Sequence, residues 1–303
     1  MILIDDVEIL TVLDDMTWSG ARDICTRQLA FSFLYNPLKE DLPKYKVNVG
    51  SQVKWVEDDK TLFWGYVEEV PYDTENDTIS LTCYDFTTRL IRSKFIGRMT
   101  GTLNELAENI CGLFNLKNGI KSDNSHKHNI VSDGNLSYYE VLKTACETIY
   151  GKDFTIYLDG ITLKLGEKET QNTFEIGKNI RSSRFKQSIR DMVTKVLIID
   201  NNGKVLQAVE DSENLKKYGL FQEVYNYNTD CKNNVAEAQK LLKGISSEGV
   251  IVTDNDNNCI SGRYIKIYEP VNNFNGIFEI QTDNHSIGVD SSMELEVKYV
   301  TSG

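Results

Sequence analysis

The sequence predicts a β-rich α+β protein, and three of its features support this prediction. Short segments in which apolar and polar residues alternate dominate both ends of the chain, and alternation is the pattern of a half-buried strand. The middle of the chain instead shows the apolar spacing of amphipathic helices. A hairpin near the start is also nearly repeated close to the end. We therefore expect two copies of one β-domain with a small α+β domain inserted between them.

The first β-domain is predicted over residues 1–96. In the segment RQLAFSFLY (27–35), every second residue from Leu29 to Tyr35 is a large apolar one, so these side chains share one face of a strand. Several short strands at close spacing are typical of a sandwich or a barrel. The other strands are predicted in VEILTVL (7–13), QVKWVE (52–57), TLFWGYVEEV (61–70) and TISLTCYD (78–85).

The inserted α+β domain is predicted over residues 97–167 and contains two helices. The first lies in GTLNELAENICGLFNL (101–116), where Thr102 and Glu105 have the spacing of a capping box. The second lies in SYYEVLKTACETIYG (137–151), where Ser137 and Glu140 form the same motif and Gly151 suits the C-terminal cap. The polar segment 117–135 is predicted to be a loop. FTIYLDGITLKL (154–165) follows as a hairpin with Asp159-Gly160 at its turn.

The second β-domain is predicted over residues 168–303. A hairpin over 194–211 turns at Asn202-Gly203. One amphipathic helix is expected at about 233–245, because NNVAEAQKLLKGI has helical apolar spacing. Four more strands are predicted in GVIVTD (249–254), GRYIKIYEP (262–270), GIFEIQTD (276–283) and SMELEVKYV (292–300).

The hairpin sequence over 50–69 is nearly repeated over 262–280. When the turns are allowed to differ by one residue, five identities are found: Gly50 with Gly262, Lys54 with Lys266, Glu57 with Glu269, Gly65 with Gly276, and Glu68 with Glu279. An alternating strand follows each copy. Two unrelated amphipathic hairpins can also look alike, but the identities at near-fixed spacing favour two copies of one β-domain. Glycines inside such strands mark bulges or tight bends.

The charge and composition narrow the function classes. The net charge is −12 and the isoelectric point is about 4.9, so a groove for sequence-specific nucleic acid binding is not expected. No apolar run is long enough for a membrane span, and the start of the chain lacks the pattern of a secretion signal. The six cysteines form no CxxC pair and are expected to be reduced thiols. We expect the protein to fold in the bacterial cytoplasm.

Candidate metal and catalytic residues are few. Asp254, Asp256 and Asn258 have the spacing of a calcium loop. However, Cys259 stands where the loop needs glycine, and Ile265 stands where it needs a bidentate glutamate. A solvated turn is the better interpretation. The chain also lacks the motifs of serine hydrolases, zinc proteases and nucleotide-binding loops. We therefore expect no metal, no cofactor and no enzymatic activity.

The three histidines lie in polar segments. His126 and His128 could hold a metal weakly, but no third ligand is evident near them in the sequence. His285 lies in TDNHS, between predicted strands, and we expect it to make a turn hydrogen bond. Neither position shows a local signature of catalysis.

Four segments in their order along the chain resemble a known family. The chain is similar to baseplate hub proteins of contractile phage tails and tail-like bacteriocins, in particular the XkdQ/YqbQ-like hub of PBSX-type prophages in the late control protein D superfamily. The segments are TWSG…RQLAFSF (17–33), GSQVKWVEDDKTLFWGYVEEV (50–70), SYYEVLKTACETIYGKDFTIYLDGITLKL (137–165) and GIFEIQTDNHSI (276–287).

The resemblance implies a structural protein with two tube-type barrels in each chain. It implies a homotrimer that forms a pseudo-sixfold ring between the hexameric tail tube protein and the trimeric spike protein. Baseplate wedge proteins are further expected partners, and the final location is the baseplate of the particle. The resemblance supplies no catalytic residues. An alternative is a peptidoglycan-binding or wall-degrading accessory protein, because the segment 101–116 faintly resembles a LysM module.

Overall fold

The computed structural model describes residues 1–10, 12–36, 38–42, 44–45, 47–73, 75–151, 154–166, 170–175, 178–229, 231, 233–271 and 274–301. The chain forms two compact units. The first contains residues 1–183 and 250–303, and the second contains residues 184–249. No helix in the described ranges is long and apolar enough to span a membrane.

Strands outnumber helices along the chain, which confirms the predicted β-rich α+β class. The helices are α1 Thr87–Arg92, α2 Leu103–Leu113, α3 Tyr138–Tyr150, α4 Ser212–Tyr218 and α5 Asn234–Gln239. The strands are β1 Ile2–Ile4, β2 Val7–Glu8, β3 Val12–Ala21, β4 Ile24–Leu34, β5 Gln52–Glu57, β6 Lys60–Glu69, β7 Tyr72–Asp73, β8 Thr78–Asp85, β9 Lys94–Gly101, β10 Lys117–Asn118, β11 His128–Ser137, β12 Thr155–Asp159, β13 Thr162–Gly166, β14 Thr170–Glu175, β15 Ile180–Ser188, β16 Lys195–Ile199, β17 Val205–Glu210, β18 Gln222–Asn226, β19 Ser246–Asp254, β20 Tyr264–Glu269, β21 Phe274–Ile287 and β22 Ser292–Thr301.

One fourteen-stranded sheet contains strands from both ends of the chain. Its main path runs β15-β19-β22-β21-β3-β4-β8-β6-β5-β1-β2, while β20 pairs with β21 and β14, and β7 pairs with β8. The predicted face of β4 is buried, since Leu29, Phe31 and Phe33 lie in the first apolar core. The predicted strand VEILTVL is instead divided, because β2 ends at Glu8 and β3 begins at Val12.

The middle of the chain packs two helices against small sheets, and both capping boxes are confirmed. The Thr102 and Ser137 side chains accept hydrogen bonds from the backbone N–H groups of Glu105 and Glu140, whose carboxylates bond back to the cap residues. The helices share one core with apolar residues of β9, β11, β12 and β13. The predicted hairpin is formed by β12 and β13, with Gly160 at a positive φ of 61°.

The predicted loop over 117–135 contains most of a strand that the sequence did not reveal. β11 pairs antiparallel with β9 from His128–Gly101 onward. Its inward face carries His128, Ile130 and Ser132, all buried. Only one of these three residues is strongly apolar, so the alternation of burial is not visible as an alternation of hydrophobicity.

The second unit is built on the three-stranded sheet β17-β16-β18. The predicted hairpin over 194–211 is present as β16 and β17, with Gly203 at φ 78°. The predicted helix at 233–245 is shorter, because α5 ends at Gln239. The additional helix α4 begins at the N-cap Asp211, whose side chain accepts from the Asn214 N–H. The predicted domain bounds 1–96, 97–167 and 168–303 stay a prediction.

Candidate functional site: a strand joint between two copies of one sheet

The large sheet contains the same arrangement of strands twice. The first copy has the spatial order β3-β4-β8-β6-β5, and the second has the order β15-β19-β22-β21-β20. If the five strands of each copy are ranked by their order along the chain, both copies have the spatial order first, second, fifth, fourth, third. Therefore β3 corresponds to β15, β6 to β21 and β8 to β22. The strands that flank the last strand of each copy differ in direction. β1 pairs antiparallel with β5, whereas β14 pairs parallel with β20.

The backbone at the start of the two repeated hairpins is the same. Gly50 and Gly262 have φ values of 89° and 86°, which favour glycine. Their N–H groups donate to the carbonyls of Val67 and Ile280, at 2.8 Å in both cases. The N–H groups of Val67 and Ile280 donate back to the residues after the two glycines, at 2.9 Å in both. These bonds make Val67 the counterpart of Ile280.

A shared β-bulge extends this correspondence. Between β6 and β8 the register shifts after Val67, and between β21 and β22 it shifts after Ile280. Val67 pairs with Cys83, and Ile280 pairs with Val297. Cys83 and Val297 also occupy the same position when the strand sequences TISLTCYD and SMELEVKY are aligned. A bulge is a specific feature of a sheet, so its repetition supports two copies of one β-structure over the alternative of two unrelated hairpins.

The second strand of the repeat differs from the alignment made on the sequence. With Val67 matching Ile280, Gly65 corresponds to Phe278 and not to Gly276, and Glu68 corresponds to Gln281. The two glycines have separate reasons to be glycine. A Cβ on Gly65 would lie 2.1 Å from the Tyr84 carbonyl oxygen, whereas Gly276 has a φ of 146°.

The matched lysines and glutamates have different surroundings in the two copies. Lys54 pairs with Asp6 at 2.7 Å, whereas Lys266 is exposed. The Glu57 carboxylate accepts from the Asn257 amide, and the fully buried Glu269 accepts from the Val271 N–H. Glu68 pairs with Arg92, and Glu279 pairs with Arg22. The repeat therefore preserves a backbone arrangement and not a shared chemical site.

The two copies meet where β21 pairs with β3. The second half of β21 pairs antiparallel with the end of β3, from Thr282–Ala21 to Ile287–Met16. The same half of β21 stays paired with β22 on its other side. One continuous strand thus joins the two sheet copies, and we call this contact the internal joint.

A buried ionic cluster lies at the internal joint. The Asp283 side chain is fully buried and accepts hydrogen bonds from both terminal nitrogens of Arg27 and from the Ser261 N–H, the last at 2.6 Å. His285, also fully buried, places Nε2 3.2 Å from the Asp283 carboxylate, within ion-pair distance but without hydrogen-bond alignment. Its Nδ1 lies 2.7 Å from Asn255 Oδ1.

Aromatic contacts and burial define the electrostatics of the cluster. The Arg27 guanidinium lies 3.7 Å from the centre of the Trp18 ring, which also packs against His285. Burial alone would raise the pKa of Asp283, but the charge of Arg27 and the interactions with His285 and Arg27 hold it well below its usual range. The carboxylate is therefore ionised at neutral pH and balances the buried guanidinium.

A second buried carboxylate lies beside this cluster. Asp85 accepts from the backbone N–H groups of Arg27 and Thr87, both at 3.0 Å. Burial is the largest influence and raises the pKa of Asp85 to about 6, although the hydrogen bonds from Thr87 and Arg27 oppose it. Burial, and then Asp85, also raise the pKa of the Cys25 thiol, so this thiol is not a reactive thiolate.

The remaining sequence candidates do not assemble into a chemical site. Asp254 pairs with Arg181, and Asp256 accepts from the Asn258 N–H in a local turn. The His126 and His128 rings are adjacent, at 4.7 Å, and burial followed by His126 lowers the pKa of His128. Within the described ranges, no three acidic, histidine or cysteine residues could hold a metal.

Sequence reasoning missed the joint and its buried charges. His285 was expected to lie in a turn, but it lies inside β21 and is fully buried. The available signal was that Asp283 and His285 are two residues apart at the end of an alternating strand, and therefore share a face. Arg27 carried no such signal, because its partner lies 256 positions away along the chain.

Solved structures of phage tail proteins share the fold of this chain. The 43 kDa tail protein of prophage MuSo2 from Shewanella oneidensis is similar with a TM-score of 0.74 and 14% identity, over 98% of this chain and 96% of that chain. Prophage tail protein gp18 from Listeria monocytogenes has a TM-score of 0.64 and 13% identity, over 97% and 91%. The E. coli type VI secretion protein c3393 has a TM-score of 0.53 and 10% identity, over 100% and 77%.

The family is shown by the sequence itself. The profile of the YqbQ-like family matches residues 16–298. The chain therefore belongs to the YqbQ-like family, which confirms the resemblance stated from its motifs. No curated protein matches the chain.

Proposed function

We propose that this chain is a structural hub of the baseplate of a contractile phage tail or a tail-like bacteriocin. The observation that carries the proposal is the duplication of one sheet within one chain. Three copies of the chain in a ring would present six similar sheets. Such a ring would match a hexameric tail tube on one side and a trimeric spike on the other.

Two further observations support this function. The fold is shared with prophage tail proteins over nearly the whole chain. The type VI secretion protein c3393 is itself described as structurally similar to the bacteriophage T4 tail proteins gp27 and gp5. A tail-tube partner, a spike partner and baseplate wedge proteins are the contacts we propose for this chain. Assembly would begin in the bacterial cytoplasm and end in the baseplate of the particle.

The mechanism we propose is geometric and not catalytic. The internal joint holds two sheet copies in one covalent chain, so a threefold assembly can present a nearly sixfold surface. In the Arg27–Asp283 pair the Asp283 side chain is fully buried and the Arg27 side chain is 11% exposed. The pair fixes the orientation of the joined strands, because separating the partners would leave a largely buried charge uncompensated. The hub would therefore act as an adaptor between two symmetries.

The decisive experiment is reconstitution with the neighbouring tail proteins. The purified chain would be mixed with the tube and spike proteins encoded beside it, and complexes would be measured by light scattering and negative-stain microscopy. We expect a ring of about three times the 34.5 kDa chain mass that binds both partners. Failure to bind either partner, together with binding to purified peptidoglycan, would favour the wall-binding alternative.

A further inference from the structure

The first sheet copy contains an unpaired counterpart of the internal joint. Because Val67 corresponds to Ile280, the segment from Glu69 to Asp73 corresponds to the half of β21 that pairs with β3. The pairing with the next strand supports this correspondence. Tyr72 pairs with Ile79 in β8, and its counterpart His285 pairs with the corresponding residue Met293 in β22. His285 is 0% exposed, whereas Tyr72 is 57% exposed. Among the described residues, the segment 69–73 pairs only with β8 and is therefore an open edge where its counterpart is covered.

The second sheet copy contains the complementary open edge. β15 corresponds to β3, the strand that covers β21 at the internal joint. Within the described part of the chain, β15 stands at one end of the sheet path and pairs only with β19. In the part of the chain that the structure describes, each molecule thus carries one uncovered edge of each kind. Uncovered edges pair readily with other strands, and two different surfaces on one molecule allow head-to-tail contacts that can close into a ring.

The charges on the two edges are opposite. The β15 sequence IRSSRFKQS contains Arg181, Arg184 and Lys186 and no acidic residue. Arg181 pairs with Asp254 and Asp290 of the same chain, so Arg184 and Lys186 give this edge its positive charge. The segment 68–77 contains five acidic residues and no basic one, namely Glu68, Glu69, Asp73, Glu75 and Asp77. Glu68 and Asp77 pair with Arg92 and Lys39 of the same chain, so Glu69, Asp73 and Glu75 give this edge its negative charge. A basic strand is unusual in a chain with a net charge of −12. Opposite potentials of this kind select partners and orientation.

From these three observations we infer that the β15 edge of one copy of the chain pairs with the 69–73 edge of a second copy. This contact repeats the internal joint between molecules. The inference deepens the proposed hub function, since it names the partner as another copy of this chain and assigns the strands that join the copies.

The joint between copies differs from the internal joint in one respect. Val70 and Tyr72 stand where the internal joint has Asp283 and His285, so no buried ionic cluster forms there. Backbone hydrogen bonds and exposed charge pairs hold this contact, and salt screens exposed charges. We therefore expect the assembly of copies to weaken with salt while each folded chain stays intact.

Charge reversal on each edge tests the inference. One variant carries Arg184→Glu and Lys186→Glu, and a second carries Glu69→Lys and Glu75→Lys. These four side chains are exposed, so folding should be unaffected, as circular dichroism would verify. Each variant alone should weaken self-association at low salt by at least about tenfold in sedimentation velocity, because like charges would then face each other.

The combined variant and a matched control make the result specific. A chain with all four substitutions has opposite charges on its edges again and should recover most of the association. A control with Lys216→Glu and Lys217→Glu on α4 should associate like the wild type. Full association of either single-edge variant would overturn the inference, and so would failure of the combined variant to recover.

The outcome separates this inference from the proposed function. A wild-type chain that stays monomeric at low salt and high concentration would overturn edge pairing, while binding to tube and spike proteins could still support the hub. Conversely, edge-dependent rings that bind neither tube nor spike would support the pairing and refute the hub.

Discussion

Replacing Asp283 by asparagine should strongly destabilise the fold, because this carboxylate balances a buried charge. Among the described residues, the only hydrogen-bond acceptor for the Arg27 side chain is Asp283, and the Arg27 Nε has no partner. In Asp283→Asn, one oxygen can still accept from the Ser261 N–H. The new amide nitrogen would face the guanidinium donors of Arg27, and the negative charge would be lost.

The magnitude follows from the burial of the pair. Removing one partner of a buried ion pair costs about 3–5 kcal/mol, whereas the same substitution in an exposed pair costs about 0–1 kcal/mol. Asp290, which pairs with Arg181 and whose side chain is 84% exposed, provides a matched control. We therefore expect Asp283→Asn to lower the unfolding free energy by about 3–5 kcal/mol and Asp290→Asn to change it by less than about 1 kcal/mol.

Urea unfolding followed by tryptophan fluorescence and far-ultraviolet circular dichroism provides the assay. Trp18 stacks on Arg27, so the emission of the three tryptophans includes a probe at the joint itself. A double variant, Arg27→Met with Asp283→Leu, should be more stable than Asp283→Asn, because it removes both charges from the interior. Equal stabilities of Asp283→Asn and Asp290→Asn would refute the assignment of Asp283 as the charge that holds the joint.

Three further substitutions test other parts of the fold. Gly65→Val should prevent folding, because even a Cβ would lie 2.1 Å from the Tyr84 carbonyl oxygen; expression and circular dichroism would show the loss. Gly50→Ala is the control. Its Cβ meets no atom within 4 Å, but the positive φ remains, so it should cost only about 1–2 kcal/mol in urea unfolding. Asp85→Asn should change the pH dependence of stability. The pKa of Asp85 is raised from 3.8 to about 6 in the folded state, so its protonation stabilises the native protein by about 2 kcal/mol as pH falls from 7 to 4. The variant lacks this contribution, so its unfolding free energy should fall relative to that of the wild type by this amount across the range. Ser137→Ala should cost about 0.5–2 kcal/mol in thermal or urea unfolding through the loss of the α3 cap.

Each of these expectations has a clear contrary result. A folded Gly65→Val chain would mean that β6 and β8 can move apart at low cost. An unchanged pH profile in Asp85→Asn would show that Asp85 is not the group that gains a proton between pH 7 and 4. A wild-type melting curve for Ser137→Ala would mean that the capping box contributes no measurable stability to α3.

Local features of the sequence were predicted well because they depend on neighbouring residues. Both capping boxes follow from two residues three positions apart, and the structure contains both. The buried face of β4 follows from simple alternation between Leu29 and Tyr35. By contrast, β11 was missed because a buried histidine and a buried serine interrupt its apolar pattern. Burial of polar residues depends on what packs over them, which the local sequence does not contain.

The repeated hairpin shows most clearly which features follow from the sequence and which require the tertiary structure. By itself, the sequence determined that one hairpin occurs twice, and Gly50 and Gly262 marked its beginning because their positive φ restricts both positions to glycine. Only the tertiary structure decided that Gly65 and Gly276 are not counterparts, since backbone pairing and a shared bulge set the register across strands. The same holds for the joint: Arg27 meets Asp283 because β21 is long enough to pair with both β22 and β3. Strand partners and buried charges are set by contacts between distant segments, and these contacts form only when the whole sheet assembles.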